Sequence, residues 1–152
     1  MKRVFLPAAA LAAFSTLVGC SSSPHSPTEK YILVTINRNV SYWQTAFAGL
    51  NRAAREMGVK TEMDGPATYD PQAEHAALQR AIQEKPSGIL VSAANAAVVT
   101  PDINAALAQG IPVITVDSDA PGSKRLFFVG TDNYKAGMLG GNLVAKLLNG
   151  RG

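Results

Sequence analysis

Short apolar runs alternate with amphipathic segments along the chain from residue 31 onward, and the two patterns predict strands and helices in turn. Four runs are mainly apolar, as expected for strands that helices cover on both faces. They are residues 31–36, 88–91, 113–116 and 126–129. A fifth segment, 59–63, alternates apolar and polar residues, which is typical of a half-exposed edge strand. The pattern therefore predicts five strands.

The segments between and after these strands have helical spacing and recognisable ends. The first helix is predicted to begin with a capping box formed by Ser41 and Gln44. Two more helices are predicted to begin where an N-capping residue precedes proline, at residues 70–71 and 100–101. A last helix covers about residues 134–148, and its glycines are predicted to allow close packing against the sheet.

Strands that alternate with helices predict an α/β fold with a doubly wound, parallel, five-stranded sheet and helices on both faces. The edge character of the second strand favours the flavodoxin-like order 2-1-3-4-5, with a switch point between the first and third strands. In such sheets, ligands bind beyond the carboxyl ends of the strands. The pattern therefore also predicts the edge at which a binding site lies.

Short polar and aromatic side chains follow the predicted strands at that edge. Carboxylates and amides on rigid strand ends suit the hydroxyl groups of a polyol, and aromatic faces pack on the apolar face of a sugar ring. The predicted ligand-binding residues are Asn37, Asn39, Tyr42, Trp43, Asp117 and Asp119. Core packing explains Trp43 about as well as binding does, because it lies on the apolar stripe of the first helix. Each aspartate or asparagine is equally typical of a turn or a helix cap.

The sequence contains little that indicates catalysis or nucleic-acid binding. No P-loop, dinucleotide-binding glycine motif, nucleophile elbow or HExxH zinc motif is present. His75 is predicted on the outer surface of the second helix, and two aspartates alone make a weak metal site. The formal charge is +3, but two of the positive charges lie in the first three residues, and their removal leaves +1. We therefore predict a binding protein that is not an enzyme, with no metal, no cofactor and no nucleic-acid partner.

The N-terminus has the composition of an export signal. Two basic residues precede an uncharged stretch, 4–18, that is short for a transmembrane span. The following Leu-Val-Gly-Cys resembles a bacterial lipobox, whose cysteine is lipidated and becomes the mature N-terminus; the alternative is an ordinary signal peptide with a chance cysteine. Cys20 is the only cysteine, so no disulfide forms within the chain. We predict a lipoprotein signal peptide over 1–19 and a flexible tether over 20–29.

Residues 111–137, IPVITVDSDAPGSKRLFFVGTDNYKAG, resemble the type I periplasmic sugar-binding proteins of ABC importers, the ribose-binding-protein-like group. The similarity continues through SYWQTAFAGLNRAAREMGV and GILVSAANAAVVTPDINAALAQG, and it covers residues 30–150. It implies an exported and often lipidated protein that closes two α/β lobes around a sugar and delivers it to a membrane permease.

By position, the resemblance also implies roles for the candidate residues. Tyr42 and Trp43 match paired aromatics that contact the sugar ring, and Asp117 matches an aspartate that hydrogen-bonds the sugar hydroxyls. Asn37 and Asn39 match a polar loop that contributes further hydrogen bonds. Three features depart from the group. A serine follows the strand-four aspartate where the ribose-binding group has arginine, the first loop lacks a proline and is one residue longer, and the sequence stops where the family continues into a second lobe.

The sequence therefore predicts, over residues 30–152, the N-terminal lobe of the substrate-binding component of a carbohydrate ABC importer, with the second lobe absent. We expect a lipid anchor on Cys20 in the cell envelope, facing the periplasm in a Gram-negative cell or on the outer face of the plasma membrane otherwise. A receptor module that passes a sugar or other signal to a sensor kinase or chemoreceptor is the alternative. One open lobe is expected to bind a monosaccharide weakly, with a dissociation constant of about 1 mM or above, equivalent to about 4 kcal/mol.

Overall fold

The structure, a computed structural model, describes residues 24–151. The predicted signal peptide and the predicted lipidation site, Cys20, lie outside the described residues. Within the described range, the elements in chain order are β1 (Lys30–Val34), α1 (Ser41–Met57), β2 (Lys60–Asp64), α2 (Pro71–Gln83), β3 (Gly88–Val91), α3 (Ala96–Ala108), β4 (Val113–Val116), β5 (Phe128–Val129) and α4 (Asn133–Leu147). No helix in this range combines the length and the apolar composition needed to cross a lipid bilayer.

In the described part of the chain, the strands form one parallel five-stranded sheet in the order β2-β1-β3-β4-β5. The predicted α/β class and strand order are confirmed. Strand β2 lies along one flank of β1, and the chain then crosses over to place β3 along the other flank. Val34 at the end of β1 lies opposite Val91 at the end of β3, so the loops after these two strands begin side by side. This is the predicted switch point, and it lies at the edge of the sheet where the site was predicted.

One face of the sheet is covered over β1, β3 and β4, and we call this region the sealed face. The apolar residues of these three strands that point to it are at most 1% exposed: Ile32, Val34, Ile89, Val91 and Val113. They pack against α2 and α3, whose inward residues include Leu78, Ile82, Val99 and Ile103. This cluster is the hydrophobic core of the described residues.

The opposite face carries α1 but is only partly covered, and we call it the open face. Trp43 anchors α1 to it and is only 5% exposed. Leu90 and Val116, which point to this face from β3 and β4, are only half-buried, and Val129 on β5 is 54% exposed. The predicted packing of the last helix against the sheet is wrong, because every residue of α4 is exposed. Its glycines, which were expected to allow close packing, have no neighbour within 4 Å of a Cβ position.

Two predicted helix starts are also wrong. The N-cap of α1 is Val40, with no side-chain cap, and Gln44 donates instead from Nε2 to the Arg38 carbonyl at 2.6 Å. Helix α3 begins at Ala96 rather than near residue 100, because Asn95 supplies an earlier cap by accepting a hydrogen bond from the Ala97 amide at 3.0 Å. The proline at position 101 therefore lies inside the helix.

The predicted start of α2 is confirmed. Asp70 Oδ1 accepts hydrogen bonds from the amides of Gln72 and Ala73, each at 3.0 Å, and proline occupies the first helical position. The predicted outer-surface position of His75 is wrong, since its Nδ1 lies 2.5 Å from Asp102 Oδ2. This contact joins α2 to α3 behind the sealed face.

The last residues of the segment predicted as a tether form a hydrogen-bonded turn. Glu29 accepts hydrogen bonds from the Ser26 amide at 2.7 Å and from the Tyr31 hydroxyl at 3.0 Å. The Glu29 amide donates back to the Ser26 carbonyl at 2.9 Å. The turn connects directly to β1 and fixes the direction from which the chain enters the sheet.

Candidate functional site

The backbone turns sharply where β4 ends, and this turn directs Asp117. Asp117 has a φ of 63°, in the left-handed region that a residue with a side chain seldom adopts. The strained conformation is held by the Asp117 amide, which donates to the Val129 carbonyl at 2.9 Å, and by the Ser118 amide, which donates to the Val116 carbonyl at 2.7 Å. Backbone strain of this kind is concentrated at functional sites.

Tyr42, from the first turn of α1, meets this aspartate across the edge of the sheet. The Tyr42 hydroxyl donates to Asp117 Oδ1 at 3.1 Å, and the Ser118 hydroxyl donates to Asp117 Oδ2 at 3.3 Å. The hydrogen bond to Asp117 raises the pKa of Tyr42. The phenol is therefore neutral near pH 7 and remains a hydrogen-bond donor.

The two adjacent aromatics have different environments. Tyr42 is 55% exposed, whereas Trp43 is 5% exposed and packs on the sheet. Their rings meet edge to face, with centroids 5.0 Å apart and planes at 89°. The buried indole thus holds the exposed phenol ring in position over the site.

A groove runs from this site along the open face, beside α1, and we call it the α1 groove. Its volume is about 390 Å³, within the range of small-molecule pockets. Its polar end consists of Tyr42, Asp117 and Thr131, and the remainder is apolar. The full lining is Leu33, Tyr42, Trp43, Ala46, Leu50, Leu90, Val116, Asp117, Val129, Gly130 and Thr131. A ligand that needs both hydrogen bonds and an aromatic contact fits the polar end.

The two predicted asparagines lie at the same edge but do not line the α1 groove. Asn37 Oδ1 accepts a hydrogen bond from the Asn39 amide at 3.0 Å, which shapes the loop between β1 and α1. The Asn39 side chain is exposed. The structure thus brings Tyr42, Trp43 and Asp117 together and leaves the asparagines at the rim.

Asp119, the remaining predicted residue, lies in the loop between β4 and β5 and hydrogen-bonds within that region. Both of its carboxylate oxygens accept hydrogen bonds from Arg125, at 2.5 and 2.6 Å, and Oδ1 also accepts from the Thr115 hydroxyl at 2.6 Å. Chiefly because of Arg125, the pKa of Asp119 falls to about 2. The carboxylate is therefore occupied in holding its own loop, and we leave it out of the proposed site.

A buried polar cluster lies beneath the edge at the switch point, and the sequence pattern did not indicate it. Glu74 is fully buried, and its Oε2 accepts a hydrogen bond from the Ala94 amide at 3.0 Å. Burial raises the pKa of Glu74 to about 7. Among the described residues, Glu74 Oε1 has no hydrogen-bond partner, and neither do the buried hydroxyls of Thr35 and Ser92. In the sequence, Glu74 is an acidic residue in the first turn of a predicted helix. Such residues are common there, so the pattern does not indicate burial.

Thr131 was also missed as a lining residue. It follows the short β5 strand at the same edge as Asp117, so the rule that polar residues after parallel strands converge was enough to find it. No group of three or more histidine, cysteine, aspartate or glutamate residues within 24–151 is arranged to hold a metal ion.

The family described as "Periplasmic binding protein domain" matches residues 31–152. A sugar-binding protein of a sugar ABC transporter from Bacillus halodurans is 38% identical with a TM-score of 0.78; the match covers 82% of this chain and 43% of that one. An arabinose-binding protein from Geobacillus stearothermophilus is 41% identical with a TM-score of 0.75, over 81% and 42% of the two chains. The protein XylFII, in its complex with LytSN, is 35% identical with a TM-score of 0.75, over 80% and 44%. The chain thus spans less than half the length of these proteins and has the fold of their N-terminal lobe.

Proposed function

Because this chain belongs to the periplasmic binding protein family, we propose that it is the sugar-binding N-terminal lobe of the substrate-binding component of a carbohydrate ABC importer. The observation that carries this proposal is the pairing of Tyr42 with Asp117 at the polar end of the α1 groove, with Trp43 packed behind the phenol. The named relatives are binding proteins for sugars, which also favours binding over catalysis.

The chemistry of this end suits a neutral monosaccharide. Asp117 is an acceptor on a rigid, strained turn, so its oxygens are oriented before a sugar arrives. The Tyr42 hydroxyl donates a hydrogen bond to one of those oxygens at 3.1 Å. A sugar hydroxyl replaces or shares that hydrogen bond, while the exposed Tyr42 ring covers the apolar face of the sugar. Asn37 and Asn39, at the rim, supply further hydrogen bonds.

The location that we propose follows from the N-terminal sequence. Residues 1–19 direct export, Cys20 carries the lipid, and the lobe faces the outside of the plasma membrane or the periplasm. A permease in the membrane is the partner that receives the sugar. One lobe leaves much of a small ligand exposed to water, so we expect a dissociation constant of about 1 mM or above for the isolated lobe.

A receptor module remains the second candidate, and one observation favours it. The structural neighbour XylFII has been determined in a complex with a second protein, LytSN, so a relative of this lobe assembles with a protein partner. The same binding edge serves either role. Co-purification of the envelope form with a permease supports the importer, whereas co-purification with a sensor kinase supports the receptor.

Calorimetric titration with a panel of neutral pentoses and hexoses tests the proposed site. We expect one sugar class to bind and Asp117→Asn to weaken it at least tenfold, because a bound hydroxyl loses its charged acceptor. Glu56→Gln is the matched control, since Glu56 is an exposed carboxylate on the same α1 helix that pairs with Arg52. Unchanged affinity in Asp117→Asn, or an equal loss in Glu56→Gln, excludes the proposed site.

A further inference from the structure

Glu74 is an ionisable residue on the buried stripe of α2, and it is as fully enclosed as Ala77 and Leu78, which follow it on that stripe. Within residues 24–151, no cation pairs with it, and its Oε1 has no hydrogen-bond partner. Burial of a carboxylate without a cation lowers stability, and an apolar side chain of similar size is often the more stable choice. The packing of α2 therefore does not account for an acid at this position.

Capping of α2 does not account for Glu74 either. Asp70 already accepts hydrogen bonds from the amides of Gln72 and Ala73 at the start of this helix. Glu74 Oε2 instead accepts from the Ala94 amide at 3.0 Å. Ala94 belongs to the loop of residues 92–95, which joins β3 to α3 at the switch point. The buried acid therefore acts on this loop rather than on its own helix.

The same loop is hydrogen-bonded to the turn that carries Asp117. The Ala93 amide donates to the Ser118 carbonyl at 3.1 Å, and the Ser118 hydroxyl donates to Asp117 Oδ2 at 3.3 Å. Two consecutive amides of the loop thus reach Glu74 on one side and Ser118 on the other. Asp117 has a φ of 63°, so its orientation depends on the bonds that hold this turn.

We propose that Glu74 is a positioning residue for Asp117, because it holds the loop of residues 92–95 and that loop holds the turn from which the aspartate extends. Asp117 matters here as the acceptor for a sugar hydroxyl, so this role of Glu74 rests on the proposed function. Because Glu74 has no exposed surface, it affects a bound sugar only through the loop and the turn.

The protonation state of Glu74 sets how firmly the loop is held. A carboxylate accepts a hydrogen bond more strongly than a neutral carboxyl does. Burial raises the pKa of Glu74 to about 7, so its charge changes near neutral pH. Ionisation strengthens the bond to the Ala94 amide, and we therefore expect the sugar affinity to rise as the pH increases from about 6 to about 8.

Other titratable groups lie on the elements that pack against α2, which are β1, β2 and α3. Most of them have partners other than Glu74: Asp102 of α3 with His75, Asp64 of β2 with Arg80, Lys30 of β1 with Glu62 and Glu84, and Tyr31 of β1 with Glu29. Lys60, at the start of β2, is exposed. His75 is adjacent to Glu74 on α2, and histidines often titrate near neutral pH, so a histidine variant is the necessary control.

The first test needs no sugar. In the full chain, nuclear magnetic resonance follows the amide signals of Ala93, Ala94 and Ser118 between about pH 5.5 and 8.5. We expect the three signals to shift with one shared midpoint of about 7, to stay fixed in Glu74→Gln and to shift as before in His75→Gln. A shift of Ala94 without Ser118 overturns the proposal, because the loop then does not transmit to the turn. Signals that do not move in the parent chain overturn it as well.

The second test measures sugar affinity from the Trp43 indole signal at about pH 6 and about pH 8. We expect the parent chain to bind about threefold more tightly at the higher pH, and Glu74→Gln to bind equally at both. Glu74→Leu leaves the Ala94 amide without its acceptor and is expected to bind at least about fivefold more weakly than Glu74→Gln. Leu78→Ala controls for lost stability, and we expect it to keep the parent affinity while it remains folded.

The outcomes separate positioning from a purely structural role. Glu74→Gln removes a costly buried charge, so a structural role predicts a more stable chain with unchanged affinity, whereas positioning predicts weaker binding than the parent at about pH 8. Parent affinity that is equal at both pH values, or parent affinity in a folded Glu74→Leu chain, overturns the proposal. If no sugar binds the parent chain at either pH, the proposed function fails, and the amide titration alone decides whether Glu74 holds the turn.

Discussion

Over β1, β3 and β4, the two faces of the sheet have similar apolar residues but differ in how completely helices cover them. On the sealed face, Ile89 and Val91 of β3 are at most 1% exposed beneath α2 and α3. On the open face, Leu90 of the same strand is only half-buried, and Val129 on the edge strand is 54% exposed. The sealed face therefore stabilises the fold, whereas the open face carries the groove beside the candidate site.

The difference has a consequence for function. The candidate binding residues Tyr42 and Asp117 both border the open face, and the groove that they close continues along it. A site on a completely covered face would have to displace packed helices, whereas a site on a partly covered face needs only to replace water. We therefore expect substitutions beneath the covered face to affect stability most and substitutions at the exposed edge to affect it least.

Replacing an apolar side chain by alanine is expected to lower the free energy of unfolding more than the other changes do. The loss is expected to be larger on the sealed face than on the open face. Leu78→Ala removes a fully buried side chain of α2 from the sealed face and is expected to lower the free energy of unfolding by about 2–5 kcal/mol. Leu90→Ala, on the open face, is expected to cost less than about 2 kcal/mol, because its side chain is already partly in water. Urea denaturation of both variants measures the difference, and equal losses contradict the distinction between the faces.

Glu74→Gln is expected to stabilise the lobe at alkaline pH. The pKa of Glu74 is raised to about 7 in the folded state from a reference value of 4.5. The unfolded chain therefore ionises first as the pH rises, so stability is retained below about pH 4.5 and falls between about pH 4.5 and 7. Glutamine keeps an acceptor for the Ala94 amide without a charge, so we expect a gain of about 1–3 kcal/mol at pH 8. At pH 4, the gain should vanish. Urea midpoints at the two pH values provide the measurement, and an equal effect at both is inconsistent with a buried, titrating carboxyl.

Protonation of Asp119 in acid is expected to lower the free energy of unfolding. Its pKa is lowered to about 2 from a reference value of 3.8, so its contribution is present above about pH 4 and is lost as the pH falls towards 2. After allowance for the partial exposure of the pair, the contribution is about 1–2 kcal/mol. Asp119→Asn should flatten the dependence of the urea midpoint on pH between pH 4 and 2. A slope identical to that of the parent chain would show that other carboxylates cause the loss.

Tyr42→Phe is expected to have the smallest effect on stability, about 0.5 kcal/mol, because the hydrogen bond to Asp117 is exposed to solvent. Its effect on sugar binding separates two roles of the tyrosine. Retention of most of the affinity indicates that the ring contributes more than the hydroxyl, whereas Tyr42→Ala should remove the ring contact and weaken binding further. Calorimetry with the preferred sugar compares the two variants, and equal affinities in both contradict a contact through the ring.

Regular patterns predicted the parts of the fold that repeat a local rule. The apolar runs located the strands, and the alternation in residues 59–63 correctly marked β2 as an edge, which was enough to give the strand order. The Asp70-Pro71 pair located a helix start because both residues act within one turn. The same rule failed at Thr100-Pro101, because Asn95 offers an earlier cap and a proline in the first turns of a helix costs few hydrogen bonds.

The misses share a physical cause, which is that a distant partner decides the outcome. The place of Asp119 after β4 did not indicate that Arg125 and Thr115 hydrogen-bond its oxygens, and its role in ligand binding stays a prediction. Glu74 is buried by packing that its own segment does not reveal. Helix α4 has an apolar pattern in the sequence, but that pattern cannot specify which sheet the helix covers. Local patterns therefore predicted the strand order and the edge of the site, while tertiary contacts determined the remaining details.

We propose that a sugar binds at the open edge of the sheet, between Tyr42 and Asp117. The most direct test follows amide and indole signals in a nuclear magnetic resonance titration with the monosaccharide that calorimetry selects. Trp43 is the only tryptophan, so its indole N–H gives a single assignable signal beside the site. We expect shifts at Trp43, Tyr42 and Asp117 and none at Leu78 or Ile103, which pack behind the sealed face. Shifts confined to α2 and α3, with the Trp43 signal unmoved at saturation, would contradict it.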